Sequence, residues 1–341
     1  MWDGMAVGPG DVWGTDVSEQ LEFNDRSLAL CLARVSEAGA LSSAGFIGRG
    51  DEEAATEAAV NGMQIALNRM DISGHIVVGE GEEGDVPDLF VGQTTGNGNG
   101  PNVDIALEAL EGKTLVAKGM PNALSVIAMG PRGSMMQAPD LYMDKLAIGP
   151  GYPDGLVTLD MSPTERISVL AKAKSCAPGD LTVCVLDRPR HEDLIAELRQ
   201  TGARVRLISD GDVAGVIHVA EAARTGIDVY MGIGGAPEGV LAAAALKCLG
   251  GQIEGRLVLR SPDDAMLARM AGITAPDQIF KRDDMIGAEV VFAATGVTDG
   301  ALLHGIRQPT GQIEAETLLM RSRTGSVRFL SYRKKLRQVA G

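Results

Sequence analysis

Five acidic residues lie far apart in the chain: Asp51, Glu80, Glu108, Glu111 and Glu238. Each follows a predicted strand or opens a predicted helix, with glycine close by. Oxygen donors without cysteine or histidine among them select Mg2+ or Mn2+ over zinc. Taken singly, each also serves as a helix cap or a turn carboxylate. Converged by folding, the set would neutralise two divalent cations. Residues 232–239 (GIGGAPEG) read as a glycine turn between strand and helix, whose backbone N–H groups favour an anion. The spacing is not GxGxxG, and no acidic ribose ligand stands about 20 residues on, which argues against a dinucleotide. Arg188, Pro189 and Arg190 end a predicted strand, and two guanidiniums there suit a phosphate. Asp210, Gly211 and Asp212 suit sugar hydroxyls, or a tight Asx turn. His191 reads as a helix-start residue rather than a base.

The elements that must carry these residues follow from periodicity. Helices are predicted over 19–40 and 51–68, and strands over 74–79, 103–107 and 123–129. Past residue 150 the pattern alternates. Strands at 181–186, 204–208, 227–231 and 290–294 are interleaved with helices at 191–202, 213–225 and 240–249. That alternation predicts a layered α/β architecture, in which ligands gather at the ends of strands. The expected organisation is a loose tail over 1–18, an N-terminal α+β domain over 19–155 with the metal site, and a C-terminal α/β domain over 156–341.

Composition limits the function classes. Lys and Arg number 31 against 45 Asp and Glu, a net charge of −14, which gives no positive field for nucleic acid or an anionic membrane. Hydrophobic residues make up 45 %, enough for a buried core without staples. No apolar run reaches the ~18 residues of a membrane span. The first residues carry Asp3 and Asp11 and lack a basic start, so they do not read as a signal peptide, and a cytoplasmic location is expected. Cys31, Cys176, Cys184 and Cys248 are scattered without CxxC spacing and read as reduced thiols.

Several segments together resemble class II fructose-1,6-bisphosphatases, some of which also take sedoheptulose 1,7-bisphosphate. They are GRGDEEAATEAAVNGM (48–63), VVGEGE (77–82), DIALEALEGKT (104–114), KGMPNALSVIAMG (118–130), APDLYMDKLAIGPG (138–151), RPRH (188–191), SDGDVAGVI (209–217), GIGGAPEG (232–239) and AATGVT (293–298). The resemblance implies the layered sugar-phosphatase fold of the lithium-sensitive superfamily, with two α/β domains. It also implies metal-dependent removal of the 1-phosphate with Mg2+ or Mn2+, in gluconeogenesis or the Calvin cycle, by a dimer or tetramer of identical chains. By position, the implied metal ligands are Asp51, Glu80, Glu108, Glu111 and Glu238. The implied substrate contacts are Glu111, Gly112, Lys113, Tyr142, Arg188, Pro189, Arg190, Asp210, Gly211, Asp212 and Gly235.

The departures from the family pattern cluster at the chemistry. The family's Asp-Pro-(Leu/Ile)-(Asp/Glu)-Gly-Thr is here Glu108-Ala109-Leu110-Glu111-Gly112-Lys113. Lys113 stands where a threonine would orient the attacking water, with the hydroxyl of Thr114 beside it. The aspartate that assists proton transfer is replaced by Gly84, with Asp85 adjacent. Asp85, Glu111, Lys113 and Thr114 are therefore the candidate catalytic residues, and Lys113 would stand in for one cation. Two readings are open: an active sugar bisphosphatase, or a catalytically impaired or re-purposed relative that binds a sugar phosphate.

Overall fold

The structure is a computed structural model that describes residues 25–335. The tail expected over 1–18 and the start of the first predicted helix lie outside those residues. In chain order the elements are α1 (Asp25–Ser43), α2 (Glu52–Leu67), β1 (Ser73–Val78), β2 (Thr94–Thr95), β3 (Asn102–Glu111), α3 (Lys113–Lys118), β4 (Leu124–Pro131) and β5 (Tyr142–Ile148). Then follow α4 (Pro163–Lys174), β6 (Thr182–Leu186), α5 (Glu192–Gln200), β7 (Arg204–Ile208), α6 (Asp212–Ala220), α7 (Ala222–Thr225), β8 (Val229–Gly235) and α8 (Ala236–Leu249). The chain closes with β9 (Gln252–Val258), α9 (Pro262–Met270), β10 (Phe280–Lys281), α10 (Arg282–Met285), β11 (Val291–Gly296), β12 (Gln312–Arg321) and β13 (Ser326–Lys335).

The strands form a seven-stranded sheet, β13-β12-β11-β4-β3-β1-β2, and a six-stranded sheet, β10-β9-β5-β8-β6-β7. Successive side chains of a strand point to opposite faces, and the core follows that alternation. On β4, Ile127 and Met129 face the cluster built on α1 and α2, while Val126 and Ala128 face the one built on α8. On β5, Met143 and Ala147 face α8, while Leu146 and Ile148 join α4 and α5. The result is five layers: α1/α2, the first sheet, α6/α8, the second sheet, and α4/α5.

Helix α8 is buried between two sheets, so it is apolar on every side rather than amphipathic. Ala242, Ala243, Ala244, Ala245 and Leu246 are all at most 1 % exposed. The run of small alanines lets both sheets pack close to it.

The expected α/β layering is observed, with three differences. The expected boundary between 19–155 and 156–341 does not coincide with the sheets. β5 already belongs to the second sheet, and β11, β12 and β13 return to the first. Residues 232–235 are not a turn: they are the end of β8, paired with β5 from Lys145↔Gly232 to Tyr142↔Gly235. Pairing with β5 makes them strand, and the missing side chains leave room for His191, Asp212 and Glu238, which lie over Gly232, Gly234 and Gly235. The helix predicted over 213–225 breaks at Glu221 into α6 and α7. Among the described residues, no helix is long and apolar enough to cross a membrane.

Candidate active site

Strand direction gathers the site. β1 and β3 run parallel, so their C-terminal ends bring Glu80 beside Glu108 and Glu111. A spacing of three along a regular strand would send Glu108 and Glu111 to opposite faces. The β3–β4 register shifts between these two residues, and the irregularity turns both to one side. In the second sheet, β6, β7, β8 and β9 all run one way, against β5. Their C-terminal ends therefore present Arg188–Arg190, Asp210–Asp212, Gly235–Glu238 and Arg260 along one edge.

The two halves are joined by Glu111, which is 3 % exposed. Its Oε1 accepts the Val213 backbone N–H at 2.8 Å, tying the end of β3 to the first turn of α6. The Glu80 Oε1 accepts the Ala109 N–H at 2.6 Å. Glu238 sits in the first turn of α8, after the N-cap Gly235. A Cβ on Gly235 would fall 1.9 Å from Glu238 Oε2, and one on Gly234 would fall 1.9 Å from Asp212 Oδ2. The missing Cβ leaves room for carboxylates that rest on the strand.

These carboxyls are crowded. Burial, followed by the charges of Asp212 and Glu238, pushes Glu111 up to about 8. Burial and then Asp212 push Glu238 up to about 7, against the pull of Lys145. Glu108 is raised well above the ordinary range, by burial and then by Glu111, Glu238 and Glu80, and its side chain hydrogen-bonds that of Glu111. Glu80 is raised by burial, against its Ala109 hydrogen bond and the charge of Lys113. Such a set relieves its repulsion by retaining protons or by binding a cation.

The all-oxygen donor set and the mutual repulsion of its carboxyls fit a hard divalent cation. Among the described residues, no three acidic, histidine or cysteine side chains close into a metal-holding cage. The convergence of Glu80, Glu108, Glu111 and Glu238 is electrostatic. Asp51 is not drawn into it: the residue is exposed, and its carboxylate caps α2 by accepting the Ala54 N–H at 3.0 Å.

Asp85 is exposed on its loop, and Thr114 is half-buried in the first turn of α3. Lys113 opens that helix as an exposed side chain and does not insert among the glutamates. Gly112 is its left-handed N-cap.

The opposite half of the site is basic and polar. Arg188 Nη2 lies 3.7 Å from Asp210 Oδ1. Arg190 donates from Nε and Nη2 to the Ile233 carbonyl at 3.0 and 2.7 Å. Pro189 starts the 3-10 turn between them. Gly211, with φ of 83°, is the left-handed N-cap of α6.

His191, expected to open a helix, does more. Its Nε2 accepts the Ile233 N–H at 2.8 Å, so its Nδ1 must carry the proton donated to the Leu186 carbonyl at 2.8 Å. Arg190 and His191 thus hold both sides of the Ile233 residue. Burial pushes the imidazole down, in keeping with this neutral tautomer.

Two site residues escape a reading of the sequence. Lys145 is 1 % exposed and hydrogen-bonds both the Asp212 carboxylate and, at 2.7 Å, the Gly235 carbonyl. It is the buried cation of the cluster. A lone lysine in the apolar run MDKLAI was its only signal. Arg260 follows β9, a strand whose pattern (QIEGRLV) does not stand out.

Comparison with known proteins gives the family. Residues 26–334 match the family described as "Bacterial fructose-1,6-bisphosphatase, glpX-encoded". A protein of Synechococcus sp. (strain JA-3-3Ab) named D-fructose 1,6-bisphosphatase class 2/sedoheptulose 1,7-bisphosphatase is 38 % identical over 332 residues, covering 90 % of this chain and 95 % of its own. A protein of the same name from Synechococcus elongatus is likewise 38 % identical, with the same coverage.

Proposed function

Because the chain belongs to the glpX-encoded bacterial fructose-1,6-bisphosphatase family, we propose that it hydrolyses the 1-phosphate of fructose 1,6-bisphosphate, with sedoheptulose 1,7-bisphosphate as a second substrate. The observation that carries this reading is the juxtaposition made by the Glu111–Val213 bond. It sets a crowded carboxyl cluster against an edge rich in arginine and aspartate.

Glu80, Glu108, Glu111 and Glu238 would hold Mg2+ or Mn2+. When bound, such an ion polarises phosphoryl oxygens and acidifies water. Arg188 and Arg190 would orient the remote phosphate. Asp210 and Asp212 would accept hydrogen bonds from sugar hydroxyls, with Lys145 fixing the Asp212 carboxylate. Tyr142 and Gly235 line the same edge. Lys113 places a positive charge near Glu80. The roles carried over to Asp85 and Thr114 have no hydrogen bond to the cluster behind them among the described residues. The same reading expects an assembly of identical chains, which light scattering tests.

The direct test is phosphate release from fructose 1,6-bisphosphate with Mg2+ or Mn2+, suppressed by lithium. No release above a metal-free blank at high enzyme concentration would overturn turnover and favour the second reading, a relative that only binds sugar phosphate. Lys113 at the threonine position and the exposed Asp51 are the observations on that side.

A further inference from the structure

We propose that a cavity at the far end of the second sheet is a second ligand site, which takes a small apolar α-amino acid as its zwitterion. The cavity encloses about 130 Å3 on the face of the sheet that packs α4 and α5, where Leu146, Ile148 and Val157 give it an apolar lining. Tyr142, on the edge of the candidate active site, is at the opposite end of β5, about 20 Å from Ile148. A dry cavity of about 150 Å3 holds a six-membered ring, so the occupant has about six to eight heavy atoms.

Three observations carry the proposal. First, the cavity is built, not left by a loose loop. One wall is the segment 152–159, which side chains of β9 tie down at both ends. Gln252 donates from Nε2 to the Tyr152 and Pro153 carbonyls at 2.9 and 3.1 Å, and its Oε1 accepts the Gly155 N–H at 3.1 Å. Glu254 Oε2 accepts the Leu159 N–H at 2.8 Å.

Second, one pair of charges in the lining is already matched. Arg282 donates from Nε and Nη2 to Asp283 at 3.1 and 2.9 Å, and from Nη1 to the Gly251 carbonyl at 2.8 Å. Lys247, in the last turn of α8, holds Asp283 from the other side at 2.9 Å.

Third, another pair is not matched. Lys281 and Glu254 stand directly opposite each other across β10 and β9, so their side chains leave the same face. Both line the cavity, and Glu254 is 8 % exposed. Among the described residues, no ion pair joins them. Arg166, whose charge reaches Glu254, donates instead to the Thr158 and Leu159 carbonyls at 3.0 and 2.9 Å. A buried carboxylate gains from a counter-charge. A ligand ammonium against Glu254 and a ligand carboxylate against Lys281 would satisfy both, with an apolar side chain resting on Leu146, Ile148 and Val157. A metal cation or a simple anion would satisfy only one.

The test is calorimetric titration of the full chain with L-alanine, L-proline and L-valine. Ethylamine and propionate carry one charge each, and L-phenylalanine exceeds the cavity. At least one of the three amino acids should bind about tenfold or more tightly than either half, since that is the worth of one charged hydrogen bond. Lys281→Ala and Glu254→Gln should each weaken that binding about tenfold or more. Lys281 is exposed, and a glutamine oxygen still accepts the Leu159 N–H, so both variants should melt as the wild type does. If E254Q does not fold, K281A alone decides. The proposal is overturned by no binding of the three amino acids at tens of millimolar, by equal binding of ethylamine or propionate, or by equal binding of L-phenylalanine. It is equally overturned by an affinity that K281A leaves unchanged. The readout is binding, so neither turnover of a sugar phosphate nor its failure bears on it.

Discussion

Replacing Lys145 with Met tests how the site is held together. The two side chains are similar in length, so the change removes an ammonium without opening a large cavity. Lys145 and Asp212 are 1 % and 7 % exposed, so neither charge is shared with water. Removing one partner of a buried pair leaves an uncompensated charge and costs about 3–5 kcal/mol. Here Asp212 would remain beside Glu111 and Glu238, both already raised by its charge. The cost should therefore lie near the upper end of that range.

Lys145→Met with Asp212→Asn removes both charges and should recover most of the loss. About 1 kcal/mol would remain, for the hydrogen bond that Gly235 no longer receives. Urea denaturation of the wild type, both single variants and the double variant closes a double-mutant cycle, and a coupling of about 2 kcal/mol or more is expected. If K145M costs under about 1 kcal/mol, or the double variant is no more stable than K145M, the pair is not a buried strut and the account of Asp212 fails.

Further outcomes follow from the same geometry. His218 is buried, and desolvation, with Arg206 adding to it, pushes its imidazole down to about 4, below the unfolded value near 6.5. The unfolded chain then binds the extra proton, so stability is lost as pH falls from about 6.5 to about 4, by about 3 kcal/mol. His218→Phe should flatten that part of a pH series of melts, and an identical slope would refute it. Gly235→Ala should swing Glu238 aside, because the new Cβ meets only the far end of that flexible side chain. The variant should fold within about 1 kcal/mol of the wild type; Mn2+ should raise the melting temperature of the wild type but not of the variant, and an equal rise in both would count against Glu238 as a ligand. Glu108→Asp with Lys113→Thr should raise Mn2+ affinity or turnover; an unchanged titration shows that these positions do not limit the site.

Local chemistry made much of this protein readable in one dimension. Short apolar runs marked β3, β4 and β6. The acidic first turn marked α2, which the Asp51 carboxylate caps. Motif spacing marked Arg188–Arg190, Asp210–Asp212 and Glu238. Each of these signals lies within a few residues, where backbone geometry dictates the answer.

Other features depended on which strands pair. Whether Glu108 and Glu111 face the same way was decided by a register shift against β4. That residues 232–235 form a strand rather than a turn was decided by β5, and glycine composition alone points the wrong way. That Lys145 is buried against Asp212, Lys113 is exposed, and Arg260 shares the Tyr142 ring with Arg190 follows from five layers packing together. Those contacts join residues 48 to 118 positions apart in the chain. No local periodicity records them, because burial and charge pairing are properties of the packed whole.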